Sequence, residues 1–212
     1  MGAVVLVLGR SGSGKSTSLR NFNKEDVGIF NTLGKPLPFK GGSAFPQVEH
    51  GGYREIINTL AANNKRCYIV DDATYLMQNE NFARANEKGY DKFTDMAVHM
   101  QQLLDAATRT DKDTITYVIM HVEEDANGRE KVKTIGKMLD EKYCIEGAAP
   151  MVLDCVVRDG KHLFITENDG INLAKSPMGM LPPEMDNDLA KVDEIAREYW
   201  GMAPIHKTKK EE

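Results

Sequence analysis

The chain has 212 residues, of which 41% are hydrophobic and 28% are charged, and its formal net charge is −5 at pH 7. This profile is typical of one soluble globular domain, and it argues against a disordered chain or one that coats nucleic acid through its overall charge. No apolar run is long enough to cross a bilayer, and the three cysteines share no metal-like spacing. We therefore expect a cytoplasmic protein with no membrane contact.

Six short apolar runs predict β-strands. The runs are continuous rather than alternating, which is typical of strands buried on both faces of a largely parallel sheet. The pair Asp159-Gly160 separates the last two runs and predicts a hairpin turn, so the sheet should become antiparallel there. In chain order, the predicted strands are Ala3–Leu8, a weaker Val27–Phe30, Arg66–Val70, Thr114–Met120, Met151–Val157 and His162–Thr166.

Helical segments alternate with these strands, which predicts an α/β fold. Leu33–Gly52 carries three prolines and five glycines and predicts a long loop. We expect one domain over residues 1–201, followed by a flexible charged tail over residues 202–212. The predicted helices are Ser16–Phe22, Arg54–Ala62, Asp91–Arg109 and Asn187–Trp200.

A glycine- and serine-rich stretch between the first strand and the first helix matches the pattern G-x-x-x-x-G-K-[ST] of the P-loop. Its glycines let successive backbone N–H groups converge on phosphate oxygens, and the helix that follows adds its positive N-terminal end. Lys15 would reach the β- and γ-phosphates, and the Ser16 hydroxyl would ligate Mg²⁺. The predicted site for a nucleoside triphosphate comprises Gly9, Arg10, Ser11, Gly12, Ser13, Gly14, Lys15, Ser16 and Thr17.

The strand of "CYIVDD" ends in two carboxylates, Asp71 and Asp72. A P-loop needs a second group for the metal, usually at the end of a neighbouring strand, so Asp71 is the predicted Mg²⁺ ligand, either directly or through water. Asp72 could polarise the attacking water. An equally open interpretation is that Asp72 caps the N-terminus of a helix over Ala73–Met77.

A third strand, "TITYVIM", is followed by His121, Glu123 and Glu124. In many P-loop ATPases a polar residue at this strand end senses the γ-phosphate, so His121 is a candidate for that position, although a lone histidine is more often structural. Glu123 and Glu124 have a weaker claim as acid–base groups. We include Lys15, Asp72, His121 and Glu123 as candidate catalytic residues.

Basic residues beyond this strand suggest contacts with other molecules. Asn127-Gly128 predicts a hairpin turn, after which Arg129, Lys131 and Lys133 would share one strand face. That face could contact a nucleic-acid backbone, although a solvated hairpin is an equal alternative. Lys137 and Lys175 lie in loops and could supply a cation to a neighbouring subunit's nucleotide, although lysines on a surface are common.

Seven stretches distributed along most of the chain are "GRSGSGKSTSLRNF", "KPLPF", "IVDDATYLM", "GYDKFT", "HVEEDANGREKVKTIGKMLDEK", "AKSPMGM" and "DNDLAKVDEIAREYWG". In these stretches the chain resembles the small P-loop ATPases, labelled AAA or RecA-like, that tailed bacteriophages encode in their replication and recombination modules. The resemblance implies a three-layer RecA-like core, ATP with Mg²⁺, and a location in the host cytoplasm. It assigns Gly9–Ser16 to phosphate, Asp71 to the metal and His121 to the switch position.

The chain departs from the RecA pattern at one point. Enzymes of that type place a catalytic glutamate just after the second strand, where this chain has Asn31 and Thr32. The water-activating role therefore shifts to Asp72 or Glu123.

The resemblance favours an oligomeric ATPase that acts on single-stranded DNA or with phage recombination proteins that anneal DNA. Two alternatives remain open at the level of sequence. One is a small-molecule kinase, and the other is a nucleotide-gated binding module with little hydrolysis.

Overall fold

The computed structural model describes residues 1–205, apart from the side chains at positions 140 and 141. Within this range the chain forms ten strands and five α-helices. The strands are β1 Ala3–Gly9, β2 Val27–Asn31, β3 Gln47–Glu49, β4 Cys67–Asp71, β5 Ile115–Ile119, β6 Val122–Glu124, β7 Glu130–Val132, β8 Met151–Arg158, β9 Lys161–Ile165 and β10 Glu184–Asp186. The helices are α1 Tyr53–Ala62, α2 Thr74–Ala83, α3 Asp91–Thr108, α4 Lys137–Lys142 and α5 Leu189–Trp200.

Eight strands form one sheet in the order β10-β9-β8-β1-β5-β4-β2-β3. The six strands from β8 to β3 are parallel, whereas β9 and β10 run antiparallel to their neighbours. The β8–β9 turn has positive φ at both Asp159 and Gly160, as a two-residue hairpin turn requires. The predicted α/β fold, with a mainly parallel sheet and an antiparallel C-terminal hairpin, is confirmed.

The sheet separates two hydrophobic layers. Successive residues of β1 point to opposite faces, so that Leu6 packs with α1, α2 and α3 while Val5 packs with α5. Every residue of β1 is buried, which explains the continuous apolar run in the sequence. The result is a three-layer arrangement whose parallel strands all end at one edge. That edge carries the loops described below.

Two predicted segments differ from the structure. Ser16–Asn21 forms a 3₁₀ helix rather than an α-helix, and the Ser18 hydroxyl donates a hydrogen bond to the Lys15 carbonyl at 2.6 Å. Such hydroxyl-to-backbone bonds compete with α-helical pairing. The predicted loop Leu33–Gly52 contains β3, which pairs with β2 in parallel. A three-residue strand is too short for its sequence periodicity to reveal it.

The ends of the last helix and of the described chain also differ from expectation. Helix α5 begins at Leu189 because the Asp188 side chain accepts hydrogen bonds from two backbone N–H groups and caps the helix. The Ala203 N–H donates to Asp113 at 3.0 Å, so the first residues of the predicted flexible tail bind to the domain. Residues 206–212 of that prediction lie outside the described residues. No helix in residues 1–205 combines the length and apolar character that crossing a membrane requires.

A buried ion pair attaches α5 to the sheet. Arg197 donates from Nε to Asp193 Oδ2 at 2.5 Å, and both side chains are at most 4% exposed. The Tyr117 hydroxyl on β5 donates to Asp193 Oδ1 at 2.9 Å. The other Arg197 donors reach Asp193 Oδ1 and three backbone carbonyls, including that of Arg66 just before β4. Because each group is satisfied, the pair anchors the helix across two strands.

We expect Arg197→Ala to lower the free energy of unfolding by about 3–5 kcal/mol, because Asp193 would remain buried without its cation. Urea denaturation monitored by circular dichroism measures this. Arg158→Ala is the matched control, since its pair with Glu184 is exposed and should contribute less than about 1 kcal/mol. Equal losses in the two variants would contradict the anchoring role.

Candidate functional site

The glycine-rich loop after β1 takes a conformation that only glycines allow at two of its positions. Gly9 has φ 147° and Gly14 has φ 103°, both in the region that L side chains rarely adopt. A Cβ at Gly9 would lie 2.7 Å from the Cys155 carbonyl oxygen, and one at Gly14 would lie 2.8 Å from His162 Nδ1. The loop therefore packs closely against both β8 and β9, which restricts its backbone conformation.

Lys15 lies at the floor of the site with only 7% of its surface exposed. Its ammonium donates to the carbonyls of Gly9 at 2.8 Å and Arg10 at 2.9 Å, and Nζ is 3.5 Å from His121 Nδ1. Burial lowers the pKa of Lys15, and Asp72 contributes the largest opposing charge. The site thus holds a desolvated cation whose donors point into the loop.

Ser16, which follows β1, and Asp71, which ends β4, are in contact although β5 lies between these strands. The Ser16 hydroxyl donates to Asp71 Oδ1 at 2.8 Å, and Asp71 is 7% exposed at the end of β4. Burial raises the pKa of Asp71 to about 6, more than the Ser16 hydrogen bond lowers it. A hydroxyl and a carboxylate are oxygen ligands of the type that Mg²⁺ prefers.

The donor set at this point fits magnesium held jointly with a phosphorylated ligand. Magnesium in phosphate sites usually takes one or two protein oxygens and completes its shell with phosphate oxygens and water. Within the described part of the chain, no group of three or more His, Cys, Asp and Glu side chains could hold a metal by itself. Ser16 and Asp71 therefore fit an ion whose remaining ligands come from elsewhere.

Asp72 and His121 form the second polar pair. His121 Nε2 is 3.2 Å from each Asp72 carboxylate oxygen. Because His121 Nδ1 faces the Lys15 ammonium, which can only donate, the neutral ring carries its proton on Nε2 and donates it to Asp72. Strand β5 lies between β1 and β4, so His121 is held between the glycine-rich loop and the two aspartates.

The helix-cap interpretation of Asp72 is wrong. Helix α2 begins at Thr74 with Ala73 at its N-cap position, and no side chain caps it. Asp72 instead has φ 64°, a left-handed conformation that is costly outside glycine, and its side chain points to His121. Strained backbone of this kind persists where the surrounding structure holds it, and it is enriched at functional sites.

These residues line one cavity of about 430 Å³. One wall is the glycine-rich loop, and the facing wall comes from α2 and the loop after β2. Six of the nine predicted nucleotide-binding residues line it, whereas Gly9, Arg10 and Ser13 do not. Besides Ser11, Gly12, Gly14, Lys15, Ser16 and Thr17, the lining includes Lys35, Asp71, Asp72, Tyr75, His121 and His162.

Several other predicted residues lie outside the cavity. Glu123 is on β6, where it pairs with Lys131 at 3.0 Å, and it does not line the cavity. Arg10 turns away from the loop and pairs with Glu124. Lys137 is the first residue of α4, and the backbone of Lys175 pairs with Val152. These two lysines do not line the cavity either.

The predicted Asn127-Gly128 hairpin is confirmed, since it joins β6 to β7. Arg129 and Lys133 flank β7 and are exposed, whereas Lys131 between them is half-buried. The backbone of this hairpin is tied to the cavity, because the Lys133 N–H donates to the His121 carbonyl at 2.8 Å.

Three residues near the cavity were not predicted. His162 donates from Nδ1 to the Ser13 carbonyl at 2.8 Å, a contact between residues 149 positions apart. Lys35 and Tyr75 form part of the facing wall. No local pattern marks any of them, since each reaches the cavity only through the strand order.

Asp154 is a buried acid beside the loop that the sequence could have revealed, as a lone carboxylate inside the apolar run "MVLDCVV". It lies on β8 opposite Leu8, one residue before the loop begins. Burial, reinforced by the Glu130 charge, raises the pKa of Asp154 to about 7.

No protein-family model matches the chain, and no curated protein matches it. Among solved structures 101 chains match. One is described as a prototypical ATPase from the type III secretion system of pathogenic bacteria, with 14% identity and a TM-score of 0.44. The match covers 73% of this chain and 52% of the other, so the chain spans about half the length of that ATPase. This likeness assigns no activity to the chain, and the cavity must be interpreted from its own residues.

Proposed function

We propose that the chain is a magnesium-dependent P-loop ATPase that acts in phage DNA replication or recombination, on single-stranded DNA or with an annealing partner. The observation that carries the ATPase proposal is the hydrogen bond between Ser16 and Asp71 beside the buried Lys15 ammonium. These three groups are the hydroxyl, carboxylate and cation that triphosphate chemistry requires. They meet in one cavity although Lys15 and Ser16 follow β1 and Asp71 ends β4, with β5 between these two strands.

In the proposed mechanism, the loop N–H groups and Lys15 bind the β- and γ-phosphates. Ser16 and Asp71 hold Mg²⁺, which when bound neutralises charge on the phosphate oxygens. Because Lys15 contacts loop carbonyls in the structure, its ammonium must exchange those acceptors for phosphate oxygens. His121 keeps its hydrogen bond to Asp72 on the lining of the same cavity.

Asp72 is the carboxylate that we assign to the attacking water. The water oxygen forms a bond to the γ-phosphorus while the bond from that phosphorus to the bridging oxygen breaks, and the electron pair leaves on ADP. The water proton passes to the Asp72 carboxylate, whose orientation is held by His121 Nε2–H. We do not assign this role to Glu123, because it pairs with Lys131 outside the cavity.

The DNA part of the proposal rests on the β6–β7 hairpin. Its exposed Arg129 and Lys133 can contact phosphates, and the Lys133 N–H donates to the carbonyl of His121, which lines the cavity. Arg10 of the loop also pairs with Glu124 of the hairpin. Nucleotide binding in the cavity would therefore change the affinity of the hairpin for DNA, and DNA binding would change the affinity for nucleotide by the same factor. Self-assembly would sum the hairpin charges of several copies.

We expect Asp71→Asn and Asp72→Asn to affect different steps. Asp71→Asn should weaken Mg²⁺-dependent ATP binding by about tenfold or more, since it removes a charged ligand. Asp72→Asn should leave that affinity nearly unchanged and lower kcat by about 100-fold or more, since the carboxylate acts mainly in the transition state. Titration calorimetry and phosphate release measure the two effects.

Asp159→Asn in the β8–β9 turn is the matched control, because it makes the same chemical change at positive φ away from the cavity. Its affinity and turnover should equal those of the wild type. Normal turnover by Asp72→Asn would remove Asp72 from the mechanism.

We expect single-stranded DNA to stimulate ATP hydrolysis through the hairpin. Replacing Arg129 and Lys133 together by Ala should abolish the stimulation and reduce the slope of log affinity against log salt by about 1 to 2, since two phosphate contacts are lost. Replacing the exposed Lys88 and Lys112 removes the same charge elsewhere and should preserve both.

Absence of stimulation in the wild type would contradict the DNA role. Phosphate transfer to an added nucleoside would instead favour a small-molecule kinase. Nucleotide binding without turnover would favour a nucleotide-gated binding module.

A further inference from the structure

The cavity contains a second lysine that the mechanism above does not use. Lys35 lies in the loop after β2 and belongs to the wall that faces the glycine-rich loop. Lys15 occupies the floor of the same cavity, and the two aspartates lie on the same lining. The space in which a terminal phosphate would lie is therefore bordered by cations from two different loops of one chain.

The backbone at Lys35 is fixed by a buried side chain. Asn31, 4% exposed at the end of β2, donates from Nδ2 to the Lys35 carbonyl at 2.6 Å and to Gln47 Oε1 at 2.7 Å. The Gly34 N–H donates to the Asn31 carbonyl, which closes a turn just before Lys35. The chain is thus turned back over the carboxyl edge of the sheet.

The Lys35 ammonium is directed by an aromatic ring. Nζ is 5.3 Å from the centre of the Tyr75 ring, a cation–π distance. The Tyr75 ring in turn packs edge-on against His121, with 5.9 Å between ring centres. This row of contacts sets the Lys35 charge on the side of the cavity where His121 and Asp72 lie.

We propose that Lys35 is a further catalytic residue of this site, a cation that the chain supplies from within itself to the γ-phosphoryl group as it is transferred. This inference rests on the proposed ATPase function. Lys15 approaches the phosphates from the glycine-rich loop, so it neutralises the charge that develops on the bridging oxygen as its bond to the γ-phosphorus breaks. Negative charge on the departing phosphoryl oxygens faces the opposite wall, where the exposed Lys35 side chain lies over Tyr75 and where a cation lowers the barrier.

A cation supplied in cis differs in its consequences from one supplied by a neighbour. Lys137 and Lys175, the candidates for the second case, do not line the cavity. If Lys35 supplies the charge, turnover per chain should not depend on protein concentration. If a neighbour supplies it, turnover per chain should fall on dilution as the assembly dissociates.

The test compares Lys35→Met with Lys40→Met, since both lysines are exposed in the same loop but Lys40 does not line the cavity. We expect Lys35→Met to lower kcat by about 100-fold or more while the Kd for MgATP changes less than about threefold. Lys35→Arg should restore part of kcat. Binding of ADP with aluminium fluoride, which imitates the transferring phosphoryl group, should weaken in Lys35→Met, whereas binding of ADP alone should not.

The other possible results separate a failure of the Lys35 role from a failure of the ATPase proposal. Equal turnover by Lys35→Met and Lys40→Met would overturn the role of Lys35 and leave the ATPase proposal intact. Loss of MgATP affinity in parallel with kcat would make Lys35 a binding residue and overturn its catalytic role. Turnover per chain that falls on dilution of the wild type would transfer the role to a neighbour. A wild type that binds MgATP without hydrolysing it would overturn the ATPase proposal itself, together with the inference.

Discussion

The hydrogen bond between Ser16 and Asp71 is the contact on which the rest of the site depends. It joins the loop after β1 to the end of β4, although β5 lies between those strands. His121 follows that intervening strand and lies between the loop and the aspartates. The order of the strands therefore brings Ser16, His121 and Asp71 together at one edge of the sheet. Parallel strands make this possible, because all of their carboxyl ends face the same way.

Two features of this edge are costly in isolation. Lys15 is a largely buried cation, and Asp72 is a non-glycine residue in the left-handed region. Both are held by specific partners: the loop carbonyls hold Lys15, and the His121 ring holds Asp72. Elsewhere the fold is firmly anchored, for example by the buried Arg197–Asp193 pair beneath α5. A stable scaffold of this kind can retain local strain where chemistry requires it.

Sequence patterns predicted those parts of the molecule that are local in the chain. The apolar runs identified five of the six parallel strands because both faces of the sheet are covered, and the glycine-rich loop was recognisable because its residues have the fixed spacing of the P-loop pattern. Asp71 followed from its position at a strand end. The sequence left open whether Asp72 caps a helix, and the structure excludes the cap, because the backbone of Asp72 turns left-handed and its partner, His121, is 49 positions away. Lys35 and His162 escaped prediction because only the folded sheet brings them to the loop.

The central claim is that this cavity binds the phosphates of a nucleotide through Lys15. The most direct measurement is the affinity for ATP, with and without Mg²⁺, of the wild type, Lys15→Ala and the exposed-lysine control Lys24→Ala, by titration calorimetry. The wild type and the control should bind alike and more tightly with Mg²⁺, and Lys15→Ala should bind at least about tenfold more weakly, since it loses a charged hydrogen bond of about 1.5–3 kcal/mol. Equal affinity of Lys15→Ala and the wild type, or no binding by the wild type, would contradict the account.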